Sequence, residues 1–334
     1  MKLSTILFTA CATLAAALPS PITPSEAAVL QKRVYTSTET SHIDQESYNF
    51  FEKYARLANI GYCVGPGTKI FKPFNCGLQC AHFPNVELIE IFHDERLIFD
   101  PSGYLAVDHA SKQIYLPIRG THSLEDVICD IRIMQAPLAN FDLACNISCT
   151  ATCDPCLVHN GFAQSYNCTY NQIGPKLDSE IEQYPDYQIA CTGHELGKAA
   201  ILLFGKNLKV NGHDPLKVTL GAPIVGNLGF ANWVDKLFCG QENCDVSKVS
   251  KDRALYRITH RGDIVPQIPF EDGYQHCSGE KFIDWPLAHP ALSNVCMCQG
   301  QSNKCCSAGN TLIQEVNVKG NSLQYPVTEG ACGI

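Results

Sequence analysis

The sequence predicts an α/β fold with a mostly parallel central sheet. Strand-like and helix-like segments alternate through the second half of the chain, around a strand-turn-helix motif at 187–205. Of the 334 residues, 45% are hydrophobic and 17% are charged, which suits one large core. The formal net charge of -8 disfavours nucleic-acid partners and gives no general attraction to anionic membranes.

The strand-turn-helix motif organises the rest of the chain. Ile189–Cys191 is a short apolar run typical of a buried strand, and apolar residues recur at helical spacing from Leu196. Gly193 and Gly197 frame the tight turn between them. This order is that of the nucleophile elbow of α/β-hydrolases, in which G-x-S-x-G holds a serine above the sheet. Here Glu195 takes the central position, so the elbow lacks its hydroxyl nucleophile.

The beginning of the chain predicts secretion to the extracellular space. Residues 1–17 are typical of a signal peptide, and 18–33 form a propeptide ending at the dibasic pair Lys32-Arg33. No later apolar stretch is long enough for a transmembrane segment. Nineteen cysteines and the glycosylation sequons at Asn146 and Asn167 fit the same oxidising route.

The other elements follow from periodicity. An amphipathic helix is expected at 44–59, after Asp44, and the segment 121–138 is amphipathic without a firm cap. A helix at 175–184 precedes a βαβ unit. The expected strands are 88–91, 104–107, 113–118, 187–191, 216–220 and 255–258, with a helix at 196–210. Pro117 conflicts with a strand at 113–118, because it removes one ladder hydrogen bond.

Five motifs, taken in order, resemble the fungal class 3 (Rhizomucor-type) lipases: Arg119-Gly-Thr, Val158-His-Asn-Gly-Phe, Thr192-Gly-His-x-Leu-Gly, Gly221-Ala-Pro-Ile-Val-Gly-Asn and Tyr256-Arg-Ile-Thr-His-x-x-Asp-Ile-Val-Pro. The resemblance implies an α/β-hydrolase fold with a helical lid and a Ser-Asp-His triad. It also implies triacylglycerol hydrolysis at a lipid-water interface by a monomer, with no cofactor and no metal.

Carried over residue by residue, the resemblance makes Asp263 the triad acid. Thr121 and the backbone N–H of Leu196 match the oxyanion hole, and 121–138 matches the lid. The implied disulfides are Cys63–Cys332, Cys76–Cys80 and Cys298–Cys306, and Cys153 with Cys156 is a candidate fourth.

The sequence departs from the family pattern at the positions of the catalytic residues. Glu195 stands at the serine position, and Asn321 stands where the triad histidine is expected. No histidine follows His289, so a shift of register does not supply one. Lys198 replaces a small residue where helix and strand pack closely. The sequence therefore predicts a member of the family that is inactive or nearly so.

An enzyme with altered chemistry is the alternative, in which Glu195 is a carboxylate nucleophile or base. An acyl anhydride at Glu195 needs a histidine-activated water to hydrolyse it, and nearby Asp263 raises the cost of ionising Glu195. A glycosidase built on the two carboxylates lacks sugar-stacking aromatic residues. His276 and His289 are candidate substitute bases, but a structural role is favoured for both; His194 and His260 belong to structural parts of the motifs.

The remaining cysteines raise the question of a metal site. Cys145, Cys149, Cys153 and Cys156 have spacing that a metal could use, but disulfides are favoured over zinc in a secreted chain. Cys191 is expected to be a buried, unpaired thiol of the central strand.

Overall fold

The computed structural model describes residues 36–65, 67–93, 102–120, 135–137, 156–238, 254–269, 273–287, 289–310, 325–327 and 332. The predicted signal peptide and propeptide, most of the predicted lid, and Thr121, Asn146, Cys153 and Asn321 lie outside these ranges. The described residues all belong to the unit Val34–Ile334.

The strands, in chain order, are β1 (Thr40–His42), β2 (Val86–Phe92), β3 (Gly103–Asp108), β4 (Gln113–Ile118), β5 (Gln135–Pro137), β6 (Leu157–His159), β7 (Gln188–His194), β8 (Leu216–Leu220), β9 (Gly226–Asn227), β10 (Leu255–His260), β11 (Tyr274–Gln275), β12 (Glu280–Ile283) and β13 (Val295–Cys298). The α-helices are α1 (Gln45–Ile60), α2 (Leu78–Ala81), α3 (Asn160–Gln183), α4 (Leu196–Val210) and α5 (Leu228–Leu237).

Nine of these strands form one sheet in the order β1-β13-β12-β10-β8-β7-β4-β3-β2. Its centre, β4-β7-β8-β10-β12, is parallel, while β2-β3-β4 and β12-β13-β1 pair antiparallel at the two sides. Side chains alternate between two cores, with α1 on one face and α3, α4 and α5 on the other. This is the predicted α/β-hydrolase architecture, with a parallel centre inside a mixed sheet.

A smaller sheet has the order β11-β9-β6-β5. It contains the part of the predicted lid that the structure describes, and there Gln135–Pro137 pairs antiparallel with β6. The prediction of a helical lid is therefore wrong for these residues, because their backbone groups bond to a neighbouring strand.

Helix α1 follows the prediction closely. The Asp44 carboxylate accepts a hydrogen bond from the Ser47 backbone N–H at 2.8 Å, and Gly61 caps the other end. Such an N-cap contributes about 1 kcal/mol to helix stability. The face that includes Phe51 and Tyr54 is buried against the sheet.

Helix α3 begins fifteen residues before the predicted start at 175, so that prediction is wrong. Pro175 is typical of a first helical turn, but here it lies inside a helix of 24 residues. A buried stripe at helical spacing continues on both sides of the proline and holds the helix together: Phe162, Tyr166, Ile173, Leu177 and Ile181.

Pro117 lies inside β4, between β3 and β7. The strand predicted at 113–118 therefore forms with the proline inside it. Gly103 of β3 packs closely beside it, since an added Cβ there would lie 2.1 Å from the Pro117 carbonyl oxygen.

Lys217 is fully buried in β8, in the middle of the sheet. Its side chain runs beneath α4, where a Cβ on Gly205 would lie 2.2 Å from Lys217 Cδ.

Within the part of the chain that the structure describes, no helix has the length and apolar character needed to cross a bilayer.

Candidate active site

Glu195 is the single residue between the end of β7 and the start of α4, with φ 52° and ψ -123°. A side-chain-bearing residue in this region costs of order 1–3 kcal/mol. The turn is tight because it packs on the end of β4: a Cβ on Gly197 would lie 2.3 Å from the Ile118 carbonyl oxygen. A Cβ on Gly193 would lie 3.0 Å from both the Gly197 carbonyl carbon and the Ile118 oxygen. The strained elbow geometry is present although the residue at its centre is a glutamate.

The Glu195 side chain is directed toward Gly120 and only 3% exposed. A Cβ on Gly120 would lie 2.6 Å from Glu195 Oε2 and 2.8 Å from the Tyr62 hydroxyl oxygen. The Tyr62 hydroxyl in turn lies 2.6 Å from His194 Nδ1. The glutamate therefore lies in a narrow space that another side chain at 120 would fill.

Arg119 holds the end of β4 beside this space. Its buried guanidinium donates hydrogen bonds to the carbonyl oxygens of Val64 at 3.1 Å and Gly120 at 2.8 Å. It also donates to Ser102 Oγ at 3.3 Å. These contacts fix the backbone that leads into Thr121.

Asp263 is fully buried in the turn after β10. Its Oδ1 accepts from the Val265 backbone N–H at 3.0 Å, and its Oδ2 accepts from the Tyr325 hydroxyl at 2.6 Å. The segment that contains Tyr325 thus reaches the carboxylate at the place where the family's triad acid is expected.

The last residue of β8, Leu220, and the next residue, Gly221, connect Glu195 and Asp263. The Glu195 N–H donates to the Leu220 carbonyl oxygen at 3.0 Å. Gly221 has φ 56°, and a Cβ there would lie 2.8 Å from Asp263 Oδ2. The structure therefore brings Glu195, Leu196 and Asp263 together at one edge of the parallel strands, and their roles as nucleophile position, oxyanion-hole amide and acid stay predictions.

Two of the described histidines, His276 and His260, contact backbone carbonyl oxygens. His276 Nε2 lies 2.8 Å from the Pro266 carbonyl oxygen. Nδ1 of His260 is 2.7 Å from the Arg261 carbonyl oxygen, an arrangement that requires Nδ1 to donate. Burial lowers the pKa of His260 below its ordinary value. His289 is exposed, with φ 56°.

Sequence reasoning missed Tyr62 and Tyr325 as neighbours of the site, and it missed the close approaches at Gly120 and Gly221. Both glycines belong to motifs that the resemblance uses, and Tyr325 follows the Asn321 position by four residues. Contacts across such long sequence separations have no local signal. Thr121 and Asn321 lie outside the described residues.

The structure contains the three disulfides that the resemblance implies, Cys63–Cys332, Cys76–Cys80 and Cys298–Cys306. Cys153 lies outside the described residues, so its pairing with Cys156 stays a prediction. Cys191 is a free, fully buried thiol, which confirms that expectation, and burial raises its pKa to about 12.

One of the two predicted glycosylation sites lies within the described residues. Asn167 lies half-buried inside α3, and its glycosylation stays a prediction.

Among the described residues, the one group of three possible metal ligands is Cys296, Cys298 and Cys306. Two of these are joined in a disulfide and are therefore not thiolate ligands.

Comparisons with known proteins agree with this geometry. Residues 115–273 match the family described as lipase (class 3), and residues 7–91 match the lipase 3 N-terminal region. The secreted mono- and diacylglycerol lipase 2 of Gibberella zeae is 32% identical over 280 residues, covering 77% of this chain and 67% of that protein. Lipase A of Sodiomyces alcalophilus is 30% identical over 305 residues, covering 84% of this chain and 73% of that protein.

Solved structures give the same result. The crystal structure of the Lip2 lipase from Yarrowia lipolytica is 86% identical, covers 90% of this chain and 100% of that chain, and has a TM-score of 0.83. The lipase of Rhizopus microsporus var. chinensis is 29% identical, with a TM-score of 0.68 over 89% of this chain and 93% of that chain.

Proposed function

Because this chain belongs to the class 3 lipase family, we propose that it is a secreted member that adsorbs at lipid-water interfaces without hydrolysing the esters it meets. The observation that carries the proposal is Glu195 at the strained elbow. The family's reaction needs a hydroxyl nucleophile at this point. The larger carboxylate side chain of Glu195 has no hydroxyl to attack the ester.

Ester hydrolysis by a serine triad needs a nucleophile and a base that act together. The base takes the serine proton during attack and returns it to the leaving group. We infer that Asn321, an amide with no basic nitrogen, stands at the base position. Asp263 would then hold no imidazole, and its two carboxylate oxygens are already hydrogen-bonded by Val265 and Tyr325.

The loss of either partner is large in this chemistry. Removing the serine or the histidine of a hydrolase triad costs on the order of 10⁶ in turnover. The residual rate, roughly 10³–10⁴ over water, comes from the oxyanion hole and from binding. In this chain the hole would consist of Thr121 and the Leu196 amide. A carboxylate at 195 beside it opposes the developing oxyanion, so the remaining rate is expected to be smaller still.

Secretion is part of the proposal. We infer cleavage after residue 17 and after Arg33, with glycosylation at Asn146 and Asn167. The relatives named secreted lipases and the three disulfides support this route. The proposed ligand is an acylglycerol at a lipid-water interface, bound by a monomer without a cofactor.

Adsorption rests on the apolar side chains of the proposed lid: Leu124, Val127, Ile128, Ile131, Ile133 and Met134. A few hundred Å² of apolar surface, at ~25 cal/mol per Å², gives several kcal/mol of interfacial affinity. Cys129 lies among these residues, and a disulfide from it would hold the lid closed. Adsorption would then need mild reduction.

A triacylglycerol monolayer held at constant surface pressure tests both parts of this function at once. We expect the purified protein to enter the film while the film area is not consumed by hydrolysis. A matched variant with Ile128→Asp and Ile131→Asp is expected to adsorb at least about tenfold more weakly, because it loses apolar area. Adsorption no stronger than that of a non-lipase protein of similar charge, with or without mild reduction, would refute the interfacial role.

A further inference from the structure

Three sulfur atoms meet at one end of the main sheet. Cys298, the last residue of β13, forms a disulfide with Cys306. Cys296 lies two residues earlier in the same strand, so its side chain is on the same face. The sulfur atoms of all three cysteines lie within 4.8 Å of one another. Cys296 is half-buried and carries a free thiol.

We propose that these residues form a thiol–disulfide exchange centre, in which Cys296 displaces Cys298 from its bond with Cys306. The Cys296 thiolate attacks Cys306 Sγ, the 296–306 bond forms and the 298–306 bond breaks. Cys298 leaves as a thiolate and takes up the proton that Cys296 released. One disulfide replaces another, so no oxidant or reductant is consumed.

The geometry selects Cys306 as the sulfur attacked. Residues two apart in a strand are separated by roughly 6.6 Å between Cα atoms, near the upper limit for a disulfide. β13 is held extended on both sides, since Cys296 pairs with Phe282 of β12 and with His42 of β1. A 296–298 bond would require this strand to contract. Cys306 lies outside the strands, just before the turn Ser307–Gly309.

The surroundings make the exchange slow at neutral pH. Burial, followed by the nearby Glu280, Asp284 and Cys305, raises the pKa of the Cys296 thiol to about 11, although Lys281 acts in the opposite direction. The attacking species is the thiolate, whose fraction rises about tenfold per pH unit below that pKa. The leaving sulfur of Cys298 is fully buried, which opposes its charge as well.

Disulfide mapping on the intact protein tests the proposal. Samples are held at pH 7, 8, 9 and 10, quenched with acid, alkylated with N-ethylmaleimide and digested for mass spectrometry. We expect both 298–306 and 296–306 peptides, with the approach to their final ratio about tenfold faster per pH unit. A constant 298–306 pair at pH 10 overturns the proposal.

Three variants separate exchange among these sulfurs from other thiol chemistry. Cys296→Val, a strand-compatible residue, is expected to leave only 298–306 at every pH. Cys298→Ala is expected to form 296–306 in a buffer of reduced and oxidised glutathione; two separate thiols there would count against the proposal. Cys305→Ser, at the exposed neighbour of Cys306, is expected to exchange normally, and loss of exchange would assign the attack to Cys305 instead. If Cys298→Ala does not fold, the time course of the unchanged protein decides.

Discussion

Glu195→Ser combined with Asn321→His is expected to raise the rate of ester hydrolysis at least about 10³-fold above that of the unchanged protein. Glu195→Ser alone should restore little, because the hydroxyl has no base to take its proton. Asn321→His alone should restore nothing, because Glu195 still fills the elbow. The double gain should far exceed the product of the single gains, since nucleophile and base act as a unit.

The site has room for this repair. The elbow backbone at 195 already has the required conformation, and serine is smaller than the glutamate now lying against Gly120. The Val265 N–H and the Tyr325 hydroxyl hold the Asp263 carboxylate at the place where an introduced imidazole would need its partner.

The repair is measured as turnover of a short-chain nitrophenyl ester, beside a thermal melt that verifies folding. Because neighbouring side chains point in different directions, the histidine is placed at 321 in one variant and at 322 in another. Lys198→Gly is added to the better pair and is expected to raise its activity, because close packing of the elbow helix favours a small residue. Well-folded double variants that stay inert at both positions would contradict the assigned roles.

Lys217→Met is expected to stabilise the protein by roughly 2–4 kcal/mol at pH 7. Lys217 Nζ is buried and, within the described part of the chain, has no hydrogen-bond partner; it lies 2.8 Å from the centroid of the Phe238 ring. Methionine keeps the unbranched shape beneath Gly205 and removes the unsatisfied amine. The measurement is the free energy of unfolding in urea. The matched control, Lys112→Met at an exposed pair with Asp186, is expected to leave the free energy of unfolding nearly unchanged, because exposed ion pairs contribute little.

The pH dependence of the stability difference between Lys217→Met and the unchanged protein identifies the cause of that difference. Burial lowers the pKa of Lys217 well below its usual value, while the unfolded chain keeps a pKa near 10.4. Between these two values the unfolded chain binds more protons, so the free energy of unfolding rises with pH in that window. The advantage of methionine should therefore shrink between pH 7 and pH 10. An equal advantage at both pH values would mean that packing, not charge, is responsible.

Local patterns predicted the elements whose signals lie close together in the chain. The apolar spacing after Leu196 gave α4 with its observed bounds, and Asp44 marked the start of α1. Strand β12 was missed because Glu280 and Lys281 interrupt its apolar signal, although both are buried between neighbouring strands. The start of α3 was missed because Pro175 is a start signal, which the buried stripe on both sides of it outweighs.

At the site, the elbow and Asp263 could be predicted because their motifs are short and contiguous. The contacts of Asp263 with Tyr325 and of His194 with Tyr62 join residues 62 and 132 positions apart. They depend on how strands and loops converge at the sheet edge, which periodicity does not encode. The same limit applies to Cys296, whose nearness to the Cys298–Cys306 disulfide also depends on the placement of Cys306.

The loss of ester hydrolysis is tested most directly by the rate at which the purified mature protein hydrolyses a short-chain nitrophenyl ester, beside the Lip2 lipase of Yarrowia lipolytica. We expect a rate no higher than that of its own Glu195→Gln variant and of an unrelated protein of similar charge. A rate within about a hundredfold of the Yarrowia lipase would contradict this expectation, since loss of the triad removes far more. If that activity disappeared in Glu195→Gln, the carboxylate itself would be the nucleophile or base.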